Sequence, residues 1–358
     1  MTSKLLKYCG KPLLVMALLS FVSPCIAIQF PMFDARTAAM GGVNIGQGVR
    51  NAAFYNPSLA ALEAEEYDWY LMFPSIGEYI ADPDDIKDGV SDIVSGSGNT
   101  AAIIADINGG VYQKYEYNVV QMAIPTPYLG GAAYIAEYKI QTEKVVTEAG
   151  LTSLEHRAID VFETGVSVAQ LQDVLWFENV LVGATIKLML LESYGYQEPI
   201  ASADFGLDKD ELKRNSVLNF DFGISKEYGV WKGALVLKNL LTREYDFGNS
   251  DETYKFAPQF RTAIAYESRR AVFEVDLDLN ASEGVGFASD TMYAGVGWEW
   301  KIFHAFSLRL GYQQNLAGNK NASFSGGLGF NLWGLLLDFS ASVDQDGNGS
   351  YMQASWEF

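Results

Sequence analysis

From residue 111 onward the chain alternates apolar and polar side chains with a period of two. No other property of the sequence constrains its fold as strongly. In 271–280, Phe273, Val275, Leu277 and Leu279 oppose Glu274, Asp276, Asp278 and Asn280. In 217–225, Leu218, Phe220, Phe222 and Ile224 oppose Asn219, Asp221, Gly223 and Ser225. In 292–302, Val296, Trp298, Trp300 and Ile302 oppose Gly295, Gly297, Glu299 and Lys301, and 306–313 repeats the pattern. A helix cannot sort residues this way; a strand with one apolar and one polar face must.

Fourteen such segments can be marked: 67–73, 111–124, 130–143, 158–170, 180–193, 216–227, 231–240, 260–267, 271–280, 291–302, 306–314, 322–330, 335–343 and 350–358. The connections alternate in length. Those after the first, third, fifth and seventh segments cover 74–110, 144–157, 194–215 and 241–259, whereas 228–230, 268–270 and 303–305 are three-residue turns. Ile86, Val90, Ile93 and Val94 put a helical stripe in the first long connection. A soluble sandwich also alternates its faces but has no reason to sort its loops by parity. Long loops at one end and tight turns at the other mark an all-β chain closed as a transmembrane antiparallel barrel, and an even strand number leaves both termini on the periplasmic side. The last segment carries Met352, Ala354, Trp356 and Phe358 on one face. Trp356 and Phe358 suit an interfacial girdle and resemble the C-terminal signal that outer-membrane barrels present to their assembly machinery.

The start of the chain agrees with export. Residues 1–27 form a secretory signal, with Lys4, Lys7 and Lys11, an apolar run at 13–22 and a small-residue exit at Cys25-Ile26-Ala27. Pro24 disfavours reading Cys25 as a lipidation site. Cleavage after Ala27 removes both cysteines of the chain, so no disulfide framework remains. The net charge of −19 then becomes −22, because three lysines leave. A chain this acidic repels a phosphate backbone, which excludes nucleic acid as a partner. The longest uncharged run, 117–136, contains Pro125, Pro127 and Gly130-Gly131 and does not make a membrane-spanning helix.

Residues 33–62 do not alternate. They carry glycines at Gly41, Gly42, Gly46 and Gly48 and an Asn56-Pro57 step. Asp34 is placed to cap a helix over 35–40, with Gly41 ending it in a left-handed conformation. Asn56 is placed to cap a second helix running to residue 64, with Pro57 at its first position. Eight strands leave an interior that side chains fill, and roughly 16–18 leave an aqueous channel. A lumen between these sizes needs an occupant, and 28–66 is the one non-strand block besides the surface loops. It is therefore read as a plug, and 67–358 as the barrel. If polar faces point inward, Glu274, Asp276 and Asp278 form an acidic row on the lumen wall, and Arg36 and Arg50 are the cations of the plug that can be tethered to it. Acids facing bulk water in an open lumen are the alternative.

Other chemistry is present only in outline. Gly41-Gly42 with Gly46 and Gly48 has no preceding strand and no Lys-Ser/Thr, so it meets neither nucleotide motif. Asp344, Asp346, Asn348 and Gly349 imitate half a calcium loop, but Ser355 stands where a bidentate Glu is needed. His156 and His304 are the only imidazoles, too few and too scattered for a zinc site or a catalytic triad. Neither catalysis nor a cofactor is expected.

Phe33-Asp34-Ala35-Arg36 through Met40-Gly41-Gly42, then 52–59 (AAFYNPSL), resemble the opening of the FadL-like outer-membrane barrels, and most closely the conjugal-transfer TraF-type branch. Residues 236–240 (VLKNL), 254–266 (YKFAPQFRTAIAY) and 308–312 (LRLGY) are also similar to that family. Ser58 stands where the family typically has Ala. The resemblance implies an outer-membrane barrel of about fourteen strands with an N-terminal hatch. Such a barrel gives small, apolar molecules passive passage and sits in outer-membrane lipid. In that group apolar substrates leave through a gap in the wall, which here would sit at Gly130-Gly131 beside the two prolines. The TraF-type label implies instead a structural part in plasmid transfer, with conjugation proteins as partners.

Overall fold

The computed structural model describes residues 27–28, 32–46, 53–62, 69–124, 129–207, 212–247, 252–303 and 305–357. The signal-sequence expectation for 1–26 falls outside them. Fourteen strands form the wall: β1 (Tyr70–Ala81), β2 (Val111–Ile124), β3 (Gly130–Glu148), β4 (Leu151–Val174), β5 (Phe177–Pro199), β6 (Leu212–Tyr228), β7 (Trp231–Lys238), β8 (Gln259–Glu267), β9 (Ala271–Asp278), β10 (Tyr293–Ile302), β11 (Phe306–Asn315), β12 (Ala322–Leu332), β13 (Leu335–Val343) and β14 (Gly347–Glu357). Each pairs antiparallel with its neighbours in sequence, and β14 pairs with β1 to close the barrel. No helix among the described residues is long and apolar enough to cross a membrane.

The alternation faces as a membrane barrel requires. On β9, Glu274 and Asp276 are buried inside while Phe273, Val275 and Leu277 are exposed outside. Ile186, Leu188 and Leu190 on β5 and Leu218, Phe222 and Ile224 on β6 are likewise exposed. A water-soluble protein buries the apolar face; this chain presents it outward, which is stable only against hydrocarbon. Aromatic residues crowd the short-turn end: Trp176, Tyr228, Trp231 and Trp356, with Phe303 93% and Trp333 97% exposed. Amphipathic rings at that level suit the boundary between acyl chains and head groups.

The strand number agrees with the sequence reading, but several boundaries move. β1 runs over 70–81 rather than 67–73, passing through Pro74. Both of its ladders shift register between Met72 and Ser75, and this bulge absorbs the missing amide. Residues 144–157 are not a loop. β3 and β4 continue to a two-residue turn at Ala149-Gly150, both with positive φ, as a tight hairpin requires. The helical stripe in the first long connection becomes α2 (Ile86–Ser95), followed by α3 (Thr100–Ile107). Ile86, Val90 and Ile107 pack with Val145, Leu154 and Ile200 on the tall part of the wall, whereas Val94 is exposed.

Two outcomes check this architecture. In an outer-membrane fraction the unboiled protein should migrate faster than the boiled protein on a gel; identical migration would exclude a stable closed barrel. Val275→Arg, in the middle of the apolar band, should cost about 2–4 kcal/mol in urea titrations of the barrel folded into lipid vesicles.

Candidate functional site

The N-terminal segment lies inside the wall. Its helix α1 (Ala35–Ala39) touches β1 and β11 to β14, and the 3-10 turn Pro57–Leu59 touches β4 to β6, almost opposite. Both elements form for local reasons. The Asp34 carboxylate accepts from the Thr37 amide at 2.8 Å as an N-cap, and Gly41 follows the helix at φ +70°. The Asn56 side chain accepts from the Ser58 amide at 3.1 Å, ahead of Pro57. The second helix is shorter than expected in its described part, a 3-10 turn that continues helically to residue 62. Burial pushes the Asp34 carboxyl above its ordinary range, opposed by the hydrogen bonds from Thr37.

The apolar side of the segment seats on tyrosines of the wall. Phe33 lies 5.3 Å from the Tyr138 ring and 6.1 Å from Tyr117, and Phe54 lies 4.6 Å from Tyr134. All five are buried. Edge-on and tilted arrangements at these separations favour aromatic pairs beyond the area they bury.

The polar side is held by carboxylates. Asp276 accepts from the Asn44 amide at 3.1 Å and from the Ile45 amide at 3.4 Å, while Glu274 accepts from the Gly46 amide at 2.6 Å. Asp278 pairs with Arg261 at 2.6 Å, and Arg261 donates to the Gly42 carbonyl at 3.3 Å. The acidic row therefore meets the segment through backbone amides. Arg36 goes elsewhere, pairing with Glu299 at 2.9 Å. Glu299 also pairs with Arg309 at 2.9 Å, and Arg309 with Asp338 at 2.5 Å. Burial works against the Arg36 charge, but Glu299 together with Glu274 and Asp34 outweighs it and holds the guanidinium pKa above its ordinary value. Arg50 and Phe358 lie outside the described residues. On the far side, Lys238 donates to the Phe54 carbonyl, and Asn56 donates to Ser225 at 2.9 Å.

Glycines let the wall come this close. A Cβ at Gly130 would stand 1.8 Å from the Ala60 carbonyl oxygen, and one at Gly223 2.0 Å from the Asn56 Oδ1. Gly130 and Gly131 open β3 and are paired, Gly130 with Ala169 and Gly131 with both Val168 and Ile124, so the ladder is continuous there. Trp356 is exposed on the outer face of β14.

Between the segment and the long-loop end lies a cavity with a free volume of about 140 Å³, floored by Met32, Ala38, Gly41 and Gly42. Sequence reasoning did not single out Glu299, Arg309, Asp338 or Lys238. The signal available was modest: Glu299 and Arg309 sit on the polar faces of adjacent segments, but their pairing needs the β10–β11 register.

Arg36→Ala and Glu299→Gln each remove one partner of the buried Arg36–Glu299 pair. Either change should cost on the order of 3–5 kcal/mol of local stability and raise single-channel conductance in planar bilayers. Gly130→Val should also raise conductance, by collision with Ala60, while the barrel still shows heat-dependent migration. Unchanged conductance in all three variants would mean that the segment does not limit passage.

Comparison with solved structures shows the same fold. The Pseudomonas putida toluene transporter TodX is 10% identical with a TM-score of 0.52, over 93% of this chain and 98% of that one. A Pseudomonas aeruginosa FadL homologue is 11% identical with a TM-score of 0.52, over 92% and 97%. A TodX deltaS2 mutant, titled a monoaromatic hydrocarbon channel, is 10% identical with a TM-score of 0.53, over 91% and 97%. Comparison with curated proteins gave no match. The family described as "F plasmid transfer operon, TraF, protein" matches residues 53–278. That match spans more than half of the chain, from the 3-10 turn to the end of β9, so this outer-membrane barrel of FadL-like fold belongs to the TraF family of the F plasmid transfer operon.

Proposed function

We propose that the chain is an outer-membrane route by which small hydrophobic molecules pass, without coupled energy, past residues 28–66 acting as a hatch, with both termini on the periplasmic side. The carrying observation is the arrangement inside the wall. A cavity on the long-loop side is floored by a segment that is not itself a strand of the wall and whose described residues are held in the lumen by hydrogen bonds and the Arg36–Glu299 ion pair. Polar ties of this kind exchange with water at modest cost, so the segment can yield without opening the wall. The shared fold with barrels titled as toluene and monoaromatic hydrocarbon transporters supports the choice of apolar cargo.

A second reading rests on a different observation, the match to a plasmid-transfer family. In it the barrel anchors part of a conjugation apparatus. A deletion strain separates the two. Slowed entry of toluene with normal mating frequency is expected if the barrel is a route. Lost mating with unchanged toluene entry would discard the transport reading.

A further inference from the structure

The cavity above the segment does not have the lining that a purely hydrocarbon cargo needs. Tyr115, Tyr138, Tyr293 and Tyr351 contribute rings, and Glu283, Asp344 and Asp346 contribute three carboxylates. Amides and hydroxyls make up much of the rest, and among the described residues no Lys, Arg or His lines it. The tyrosine hydroxyls are largely engaged already. Tyr115 donates to the Met32 carbonyl at 3.0 Å, and Tyr351 lies 3.2 Å from the Ser342 hydroxyl. What remains for a ligand from these residues is ring surface. The carboxylates carry charge that only neutral donors meet: Asp344 accepts from Tyr79 at 2.8 Å and from the Asp346 and Gly347 amides at 2.9 and 2.8 Å, and Asp346 accepts from Asn321. Lys255, whose charge reaches Glu283, is paired with Glu244 at 3.7 Å.

We propose that this cavity binds small aromatic ammonium ions and rejects aromatic carboxylates. Rings of tyrosine attract a cation over their faces, uncompensated carboxylates attract it at longer range, and the same charges repel an anion. The free volume is about 140 Å³. A cavity of roughly 150 Å³ holds benzene, so one ring with a short substituent fits. Of the lumenal arginines, Arg261 is committed to Asp278 and Arg309 to Glu299 and Asp338, and no base is found among the described lining residues to receive a carboxylate. The inference deepens the transport reading above, since it concerns the cavity that a cargo meets before the N-terminal segment.

The test is equilibrium binding of benzylammonium, toluene and benzoate to the full-length barrel in detergent at neutral pH and low salt. Benzylammonium should bind at least tenfold more tightly than benzoate. Glu283→Gln combined with Asp346→Asn should weaken benzylammonium at least fivefold and leave toluene within twofold, in protein that still shows heat-dependent migration. If that variant does not fold, the wild-type benzylammonium-to-benzoate ratio decides by itself. It should fall toward one as salt is raised to 1 M. Benzoate binding within threefold of benzylammonium, no binding of benzylammonium, or a variant indistinguishable from wild type would each overturn the proposal. Toluene passage through vesicles carrying the protein is measured alongside. Passage with no charge discrimination defeats this inference alone, whereas discrimination in binding without any passage defeats the transport reading alone.

Discussion

Within a bilayer every backbone amide and carbonyl must find its partner inside the protein. Fourteen antiparallel strands meet that requirement only by closing on themselves, and the β14–β1 ladder is where this chain does so. Closure removes the edge, but it also fixes a circumference. The lumen that results is too wide for wall side chains alone to fill. The N-terminal segment, its glycine contacts and the inward carboxylates are consequences of that width.

How the wall holds the segment follows from what a polar lumen can offer. Inward positions carry acids, and a short segment rich in small residues offers amides. Hydrogen bonds from amides to carboxylates are stronger than those between neutral groups. Asp276 and Glu274 therefore grip the 44–46 backbone without needing a partner side chain at a set position. The Arg36–Glu299–Arg309–Asp338 chain adds a second hold through charge, strung across three wall strands. Aromatic contacts from Phe33 and Phe54 complete the seat on the side of β2 and β3. No single contact locks the segment. Its retention is shared among several buried polar and aromatic contacts.

The two ends of the barrel differ for related reasons. At the short-turn end, two- and three-residue connections and exposed tryptophans keep the wall flush with the membrane boundary. At the other end, long connections and the tall β3–β4 hairpin rise clear of it, and α2 and α3 pack there over Val145 and Leu154. Charge is unevenly placed as well. Arg36, Arg261 and Arg309 are engaged at the level of the segment, while three carboxylates line the cavity nearer the loops.

The sequence by itself determined the strand number, the membrane-facing side and the caps at Asp34 and Asn56. Each depends on residues within a few positions of one another, where side-chain period and capping chemistry act directly. The tertiary structure decided which groups meet across the lumen. Arg36 reaches Glu299 because β10 stands at the height of α1. The 274–278 row instead faces the 44–46 backbone and Arg261. Pro74 sits within a strand because both neighbouring ladders bulge to accommodate it, and the 144–157 stretch stays in the sheet because β3 and β4 keep pairing beyond the membrane. Register, stagger and curvature set all of these. They are properties of the closed wall rather than of any one segment, so no local pattern in the chain encodes them.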